Sequence, residues 1–142
     1  MRPEGVRKVA EGFYDAMNRK DIDAIRDNLT DDVVEHMEMP GLPPGKEGVI
    51  QMMEGMFAAM PDGKSEILDT IVSGDMMAVR GRFSATQTGE FMGMPATGKP
   101  FSVEMIDIVR TTEDGRTAEH WGIMDTMGMM GQLGLLPPPT EG

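Results

Sequence analysis

An aspartate and a histidine, Asp107 and His120, lie in two neighbouring segments, MIDIVR (105–110) and EHWGIMD (119–125). Both segments are rich in the β-branched and aromatic residues that favour strands. Such a pair suits acid/base chemistry: a carboxylate can take a proton from an acidic carbon while an imidazole orients it or exchanges a proton near neutral pH. Whether the two groups meet depends on the turn between their segments. Asp114-Gly115 is a strong hairpin-turn dipeptide, and taking it as the two central turn residues sets Glu113 opposite Arg116 and fixes every later pair. One face of the ribbon then carries Val109 opposite His120, Asp107 opposite Gly122 and Met105 opposite Met124. The other carries Arg110 opposite Glu119, Ile108 opposite Trp121 and Ile106 opposite Ile123.

On the first face Asp107 and His120 are the only ionisable groups, set diagonally within reach of each other among methionine and valine. Burial disfavours the charged form of each while mutual attraction favours it, a balance that would tune the pair toward neutral pH. Gly122 is a poor strand residue, with no side chain to pack. Directly across from Asp107, it leaves a hole that a ligand could fill. Alternatively it marks a bulge or bend of a curved sheet, and the aspartate and histidine are a satisfied structural pair. Phe13 and Tyr14, His36 in VVEHME and Phe91 complete the candidate pocket lining, His36 because it alternates with Val34. A lone strand histidine is more often structural. Glu35, His36 and Glu38 show no metal-site spacing, and no metal is expected. Asp125 alternates onto the opposite face unless the strand has already ended. Arg80 and Arg82 share one face of their strand and are expected to be solvated or paired with carboxylates.

Periodicity supplies the elements that must position these groups. Val6, Val9, Ala10, Phe13 and Met17 predict a helix over 3–18, with Pro3 tolerated in its first turn. A second helix starts at Asp21 as N-cap and ends near Thr30. A short extended stretch, 33–38, precedes the breaker GLPPG (41–45) and a third helix over 46–59. The period then changes to that of strands over 65–72, 76–87, 101–110 and 116–126. TGEFMGMPATGKP (88–100) lacks the lysine spacing of a P-loop and the strand-to-helix setting of a dinucleotide site, and reads as a loop over the pocket. From Met127 the chain makes a short helical turn and then a loose tail over 135–142. Helices followed by antiparallel strands predict an α+β fold with three helices on one face of a curved sheet. The second face, with Ile106, Ile108, Trp121 and Ile123, is apolar too, so a homo-oligomer, dimer or tetramer, is expected to cover it.

The totals are consistent with one domain over residues 1–142. A chain without cysteine has no disulfide framework and fits a reducing compartment, so a cytoplasmic location is expected. Charges throughout MRPEGVRKVAEGF argue against a signal peptide, and no run of about eighteen apolar residues suggests a membrane span. The net charge of −11 argues against nucleic acid or anionic membranes as partners. Seventeen methionines supply flexible apolar surface, either as core filler or as a wall that adapts to irregular ligands.

The order of elements, with GEFMGMPATGKPFS (89–102), MIDIVR, the DGR turn, EHW (119–121) and QLG (132–134), resembles the SnoaL-like polyketide cyclases of the nuclear-transport-factor-like group. The resemblance implies a cone of curved sheet and helices around an apolar pocket. It also implies an intramolecular aldol cyclisation without metal or cofactor, run by a pocket aspartate. Aligned through the DG turn and QLG, that aspartate falls at Gly122, the cyclases' pocket histidine at Asp107 and their pocket glutamine at Met105. Two functions are expected from this. One is acid/base catalysis by Asp107 and His120 on a bulky apolar carbonyl compound, by aldol cyclisation or isomerisation. The other is non-catalytic binding of a small hydrophobic ligand, because the family's catalytic aspartate is absent at Gly122. A protein-interaction module resting on the Trp121 face is a third.

Overall fold

The computed structural model describes residues 2–37 and 39–136. Helix α1 (Pro3–Arg19) buries Val6, Val9, Ala10 and Tyr14, three of them from the predicted stripe, and ends where Lys20 turns left-handed. Helix α2 (Ile22–Asn28) starts as expected, with the Asp21 carboxylate accepting from the Ala24 N–H at 3.0 Å. It stops at Asn28, because Leu29 already opens strand β1 (Leu29–Glu35). Helix α3 (Gly45–Ala59) follows, then strands β2 (Lys64–Ser73), β3 (Met76–Thr86), β4 (Pro100–Thr111) and β5 (Thr117–Met124).

The five strands form one curved, unclosed sheet in the order β1-β5-β4-β3-β2. The neighbours β2 to β5 run antiparallel, and β1 joins the edge of β5 in parallel. Among the described residues there is one helix beyond the three expected, α4 (Thr126–Gln132). Asp125 ends β5 by capping α4, its carboxylate accepting from the Gly128 N–H at 2.9 Å, so it does not project from the sheet. Gln132 fastens α4 to β4 through both ends of its amide, which meet the Ser102 N–H at 2.7 Å and the Ser102 carbonyl at 3.0 Å. Of the tail expected from residue 135, Leu135 packs against the core, and residues 137–142 lie outside the described residues.

Apolar burial divides into three clusters. One joins Phe83, Phe101, Met129 and Leu133 near α4. A second joins Ile25, Leu29, Val33, Ile50 and Met53 between α2, α3 and β1. The third joins Val6, Ala10, Tyr14, Met77, Val79 and Val109 between α1 and the sheet. The interior hollow described below draws its walls from all three. On the other side of the sheet no described helix packs, and Ile106 and Ile123 remain 52% and 76% exposed.

Candidate active site

The β4–β5 register is the one counted from the Asp114-Gly115 turn along the whole functional stretch: Met105 faces Met124, Asp107 faces Gly122 and Val109 faces His120. The turn that leads into it differs from expectation. Thr112, not Glu113, lies opposite Arg116, with Thr112 N–H bonded to the Arg116 carbonyl and Gly115, at φ +85°, closing onto the Thr112 carbonyl. This shifts the pairing by one residue at Thr111 and Thr117. The pairing slips back before Arg110 and Glu119, so the extra residue, Ala118, restores the expected register. Two deviations of one residue cancel.

Inside the sheet four polar side chains form a continuous row. Glu35, at the end of β1, places both carboxylate oxygens 2.7 and 2.8 Å from His120 Nδ1. His120 Nε2 lies 2.7 Å from Asp107 Oδ1, and Asp107 Oδ2 accepts from the Tyr14 hydroxyl at 2.5 Å. Side-chain exposures are 10% for Glu35, 21% for His120 and 18% for Asp107. Gly122 makes the row fit. A Cβ on Gly122 would stand 2.8 Å from Asp107 Oδ1 and 2.9 Å from His120 Cε1. A Cβ on Gly81 of β3 would crowd the Glu66 carbonyl at 3.0 Å and the Met105 methyl at 3.3 Å, and would touch the Tyr14 hydroxyl in ordinary contact at 3.5 Å.

Gly122 is therefore not an opening for a ligand, and this corrects the sequence expectation. The space above it is taken by the contact between carboxylate and imidazole. Nor does the glycine mark a bulge, since its pairing with Asp107 is regular. His36 is a second correction. Val33 and Glu35 point inward and Val34 and His36 outward, so His36 leaves the pocket. Its ring stacks on Trp121 at 4.7 Å, and its Nε2 lies 2.7 Å from Glu119 Oε2 on the outer face. Arg110 donates to the other Glu119 oxygen at 3.0 Å. Farther along that face Arg80 pairs with Asp69 and Glu104.

The row borders a cavity of about 120 Å³ whose walls are otherwise mostly apolar. Phe13, Tyr14, Phe91, Met105, Val109 and Met124 line it, with Asp107 and His120. Sequence reasoning missed Glu35 and much of α3, whose Met52, Met53 and Met56 supply flexible wall. The volume suits one ring-sized group, and a larger occupant requires the methionine side chains to turn aside. Phe91 and Met92 reach the cavity from the 88–99 loop. Gln87, buried at the root of that loop, holds it by donating to the Met94 carbonyl and accepting from Thr97. Glu35 also borders an adjoining hollow beneath Leu42, Pro43 and Pro44.

Burial and charge set the protonation of the row. Burial by itself lowers the pKa of His120, but the hydrogen bonds and charges of Asp107 and Glu35 prevail and raise it from 6.5 to about 9. His120 is not tuned to neutral pH as expected, because a second carboxylate, Glu35, is present. Tyr14 is pushed above the ordinary phenol range, first by burial and then by the charge and hydrogen bond of Asp107. At neutral pH the row thus presents a phenol O–H and a cationic imidazole to one carboxylate. No helix among the described residues is long and apolar enough to cross a membrane.

Comparison with known proteins gives a consistent picture. The sequence pattern of the SnoaL-like polyketide cyclases matches residues 8–133. The aklanonic acid methyl ester cyclase of Streptomyces peucetius is 27% identical over 135 residues, covering 87% of this chain and 92% of the relative. The structure of TsrD from Streptomyces laurentii superposes with a TM-score of 0.86 at 32% identity, over 96% of this chain and 99% of that one. IdmH from Streptomyces antibioticus superposes with a TM-score of 0.79 at 32% identity, over 91% and 98%.

Proposed function

The chain belongs to the SnoaL-like polyketide cyclase family, and from that premise we propose that it is a cofactor-independent acid/base enzyme acting on a bulky, mostly apolar carbonyl compound such as an aromatic polyketide. The observation that carries the reading is the placement of the Asp107 carboxylate, held between Tyr14 and His120, at the wall of an apolar cavity. Asp107 removes a proton α to a carbonyl. In an aldol cyclisation the electron pair of that C–H bond forms the new C–C bond to a second carbonyl carbon. The oxygen of that carbonyl then takes a proton from Tyr14, and Tyr14 regains it from protonated Asp107 across their existing hydrogen bond. Product and substrate are isomers, so no co-reactant enters. A phenol with a raised pKa is matched to an alkoxide, which is itself a strong base. In an isomerisation the same proton returns from Asp107 to a different carbon.

The test is turnover of a β-polycarbonyl probe, with aklanonic acid methyl ester as the first choice because a relative is named for it. Asp107→Asn is expected to remove on the order of 10²- to 10⁴-fold of the rate in a protein that still folds, with a lowered melting temperature because His120 loses an anionic partner. Unchanged turnover ends the proposal.

A second reading, a binding protein for a hydrophobic ligand, draws on one observation: both oxygens of Asp107 already have partners. It expects aromatic ligands to raise the melting temperature without being converted, in the unmodified protein and in Asp107→Asn alike. In either case we propose that the outer face, through Ile106, Ile108, Trp121 and Ile123, packs against a second copy of the chain.

A further inference from the structure

Glu35 has no part in the proton transfers above, yet it is a carboxylate buried among methionines, where an unpaired charge is costly. Both of its oxygens converge on His120 Nδ1, and one also accepts from the Met37 N–H at 2.8 Å. On the far side of the same ring, Nε2 meets Asp107. A neutral imidazole has a single N–H, and ionised carboxylates only accept, so satisfying both contacts requires a proton on each nitrogen. We infer that Glu35 is a positioning residue: by accepting the Nδ1–H of His120 it keeps the imidazole cationic, with its Nε2–H fixed on Asp107, so that Asp107 stands ionised and oriented toward the cavity.

The inference deepens the proposed acid/base function and rests on that reading for its catalytic part. The electrostatic part stands on geometry. Glu35 comes from β1, Asp107 from β4 and Tyr14, through Asp107, from α1, while the α3 side chains facing the cavity near His120 are apolar. After Asp107 accepts a proton from substrate, His120 loses one anionic neighbour and keeps the other. Glu35 therefore keeps the imidazole cationic at that moment. The raised pKa of His120 agrees with this arrangement.

The chain has only two histidines, so the imidazole resonances of His120 are identified by comparison with His36→Asn. The unmodified protein is expected to show a His120 titration midpoint near 9. In Glu35→Gln, which keeps the shape but removes the charge, the midpoint falls by about one unit or more, a tenfold or greater loss of proton affinity. Glu35→Asp, with its charge retained, recovers part of the shift. Thermal denaturation checks that both variants are folded; where Glu35→Gln does not fold, the graded shift in Glu35→Asp decides. An unmoved midpoint in a folded variant, or a neutral His120 in the unmodified protein at pH 7, overturns the inference. Turnover supplies the second arm, since the alkaline limb of kcat/KM is expected to move to lower pH in Glu35→Gln. A limb that stays in place overturns the catalytic part. A shifted NMR midpoint with no turnover in any variant, by contrast, overturns the enzymatic reading and leaves the role of Glu35 intact.

Discussion

The two faces of the sheet carry the same chemical vocabulary and put it to different uses. On the inner face His120 lies between Glu35 and Asp107, with side-chain exposures of 10–21%. On the outer face His36 meets Glu119, which also receives Arg110, and the His36 side chain is 41% exposed. Distances are alike, 2.7 Å from ring nitrogen to carboxylate oxygen in both. The surroundings differ. Water screens the outer network and a full-strength cation, Arg110, neutralises its carboxylate, so Glu119 is held below the usual carboxylate range, first by His36 and then by Arg110. The inner row has two carboxylates, one imidazole and no arginine, in a medium where charges interact strongly. Equal geometry thus yields an exposed ion pair on one side and a reactive group on the other.

Four measurements would break or sharpen this contrast. The largest effect is expected from Tyr14→Phe, which removes the hydroxyl that serves the substrate oxygen. Turnover should fall roughly 10²-fold or more, with the fold retained. If Tyr14→Phe turns over as fast as the unmodified protein, the inner face is no more chemical than the outer.

Next comes the pH dependence of stability. His120 has a folded pKa of about 9 against an ordinary value of 6.5. Its stabilisation is therefore complete below pH 6.5 and lost as pH rises through 9, with a ceiling of about 3 kcal/mol. Melting temperature should decline over that window, and His120→Asn should flatten the decline while His36→Asn leaves it in place. A decline that survives in His120→Asn would assign it to other groups.

Gly122→Ala should follow, at roughly 1–3 kcal/mol, because its methyl group drives Asp107 and His120 apart and leaves buried polar atoms short of partners. The His120 resonance should move with it. A neutral substitution here would mean that the two side chains part without cost. The smallest effect is expected from Glu119→Gln, which should change neither turnover nor the His120 titration. A change in either would show that the outer network reaches through the sheet.

Much of this was legible in the chain. Alternation sorts MIDIVR and EHWGIM into two faces, and their pairing, counted from a turn that is one residue off, agrees with the structure because the bulge at Ala118 offsets that residue. Asp21 as a cap and the helical stripe of α1 were equally plain, because both are local signals. Glu35 was missed for the opposite reason. β1 joins β5 in parallel, across a connection of most of the chain, so no turn residue announces its register, and counting its alternation from Val34 rather than from buried Val33 sent His36 inward. The role of Gly122 was misread because a missing side chain looks the same in a sequence whether it leaves a vacancy or admits a neighbour.

The parallel edge pairing of β1 has a consequence for how the molecule comes together. Strands β2 to β5 can zip up through contacts between successive segments, but Glu35 reaches His120 across 85 positions and Tyr14 reaches Asp107 across 93. Such long closures are slow and entropically late, and they tend to reopen early. The reactive row is thus expected to be the last part of the interior to assemble and the first to fray. Slow amide exchange should begin in the meander, with the seam between β1 and β5 exchanging soonest.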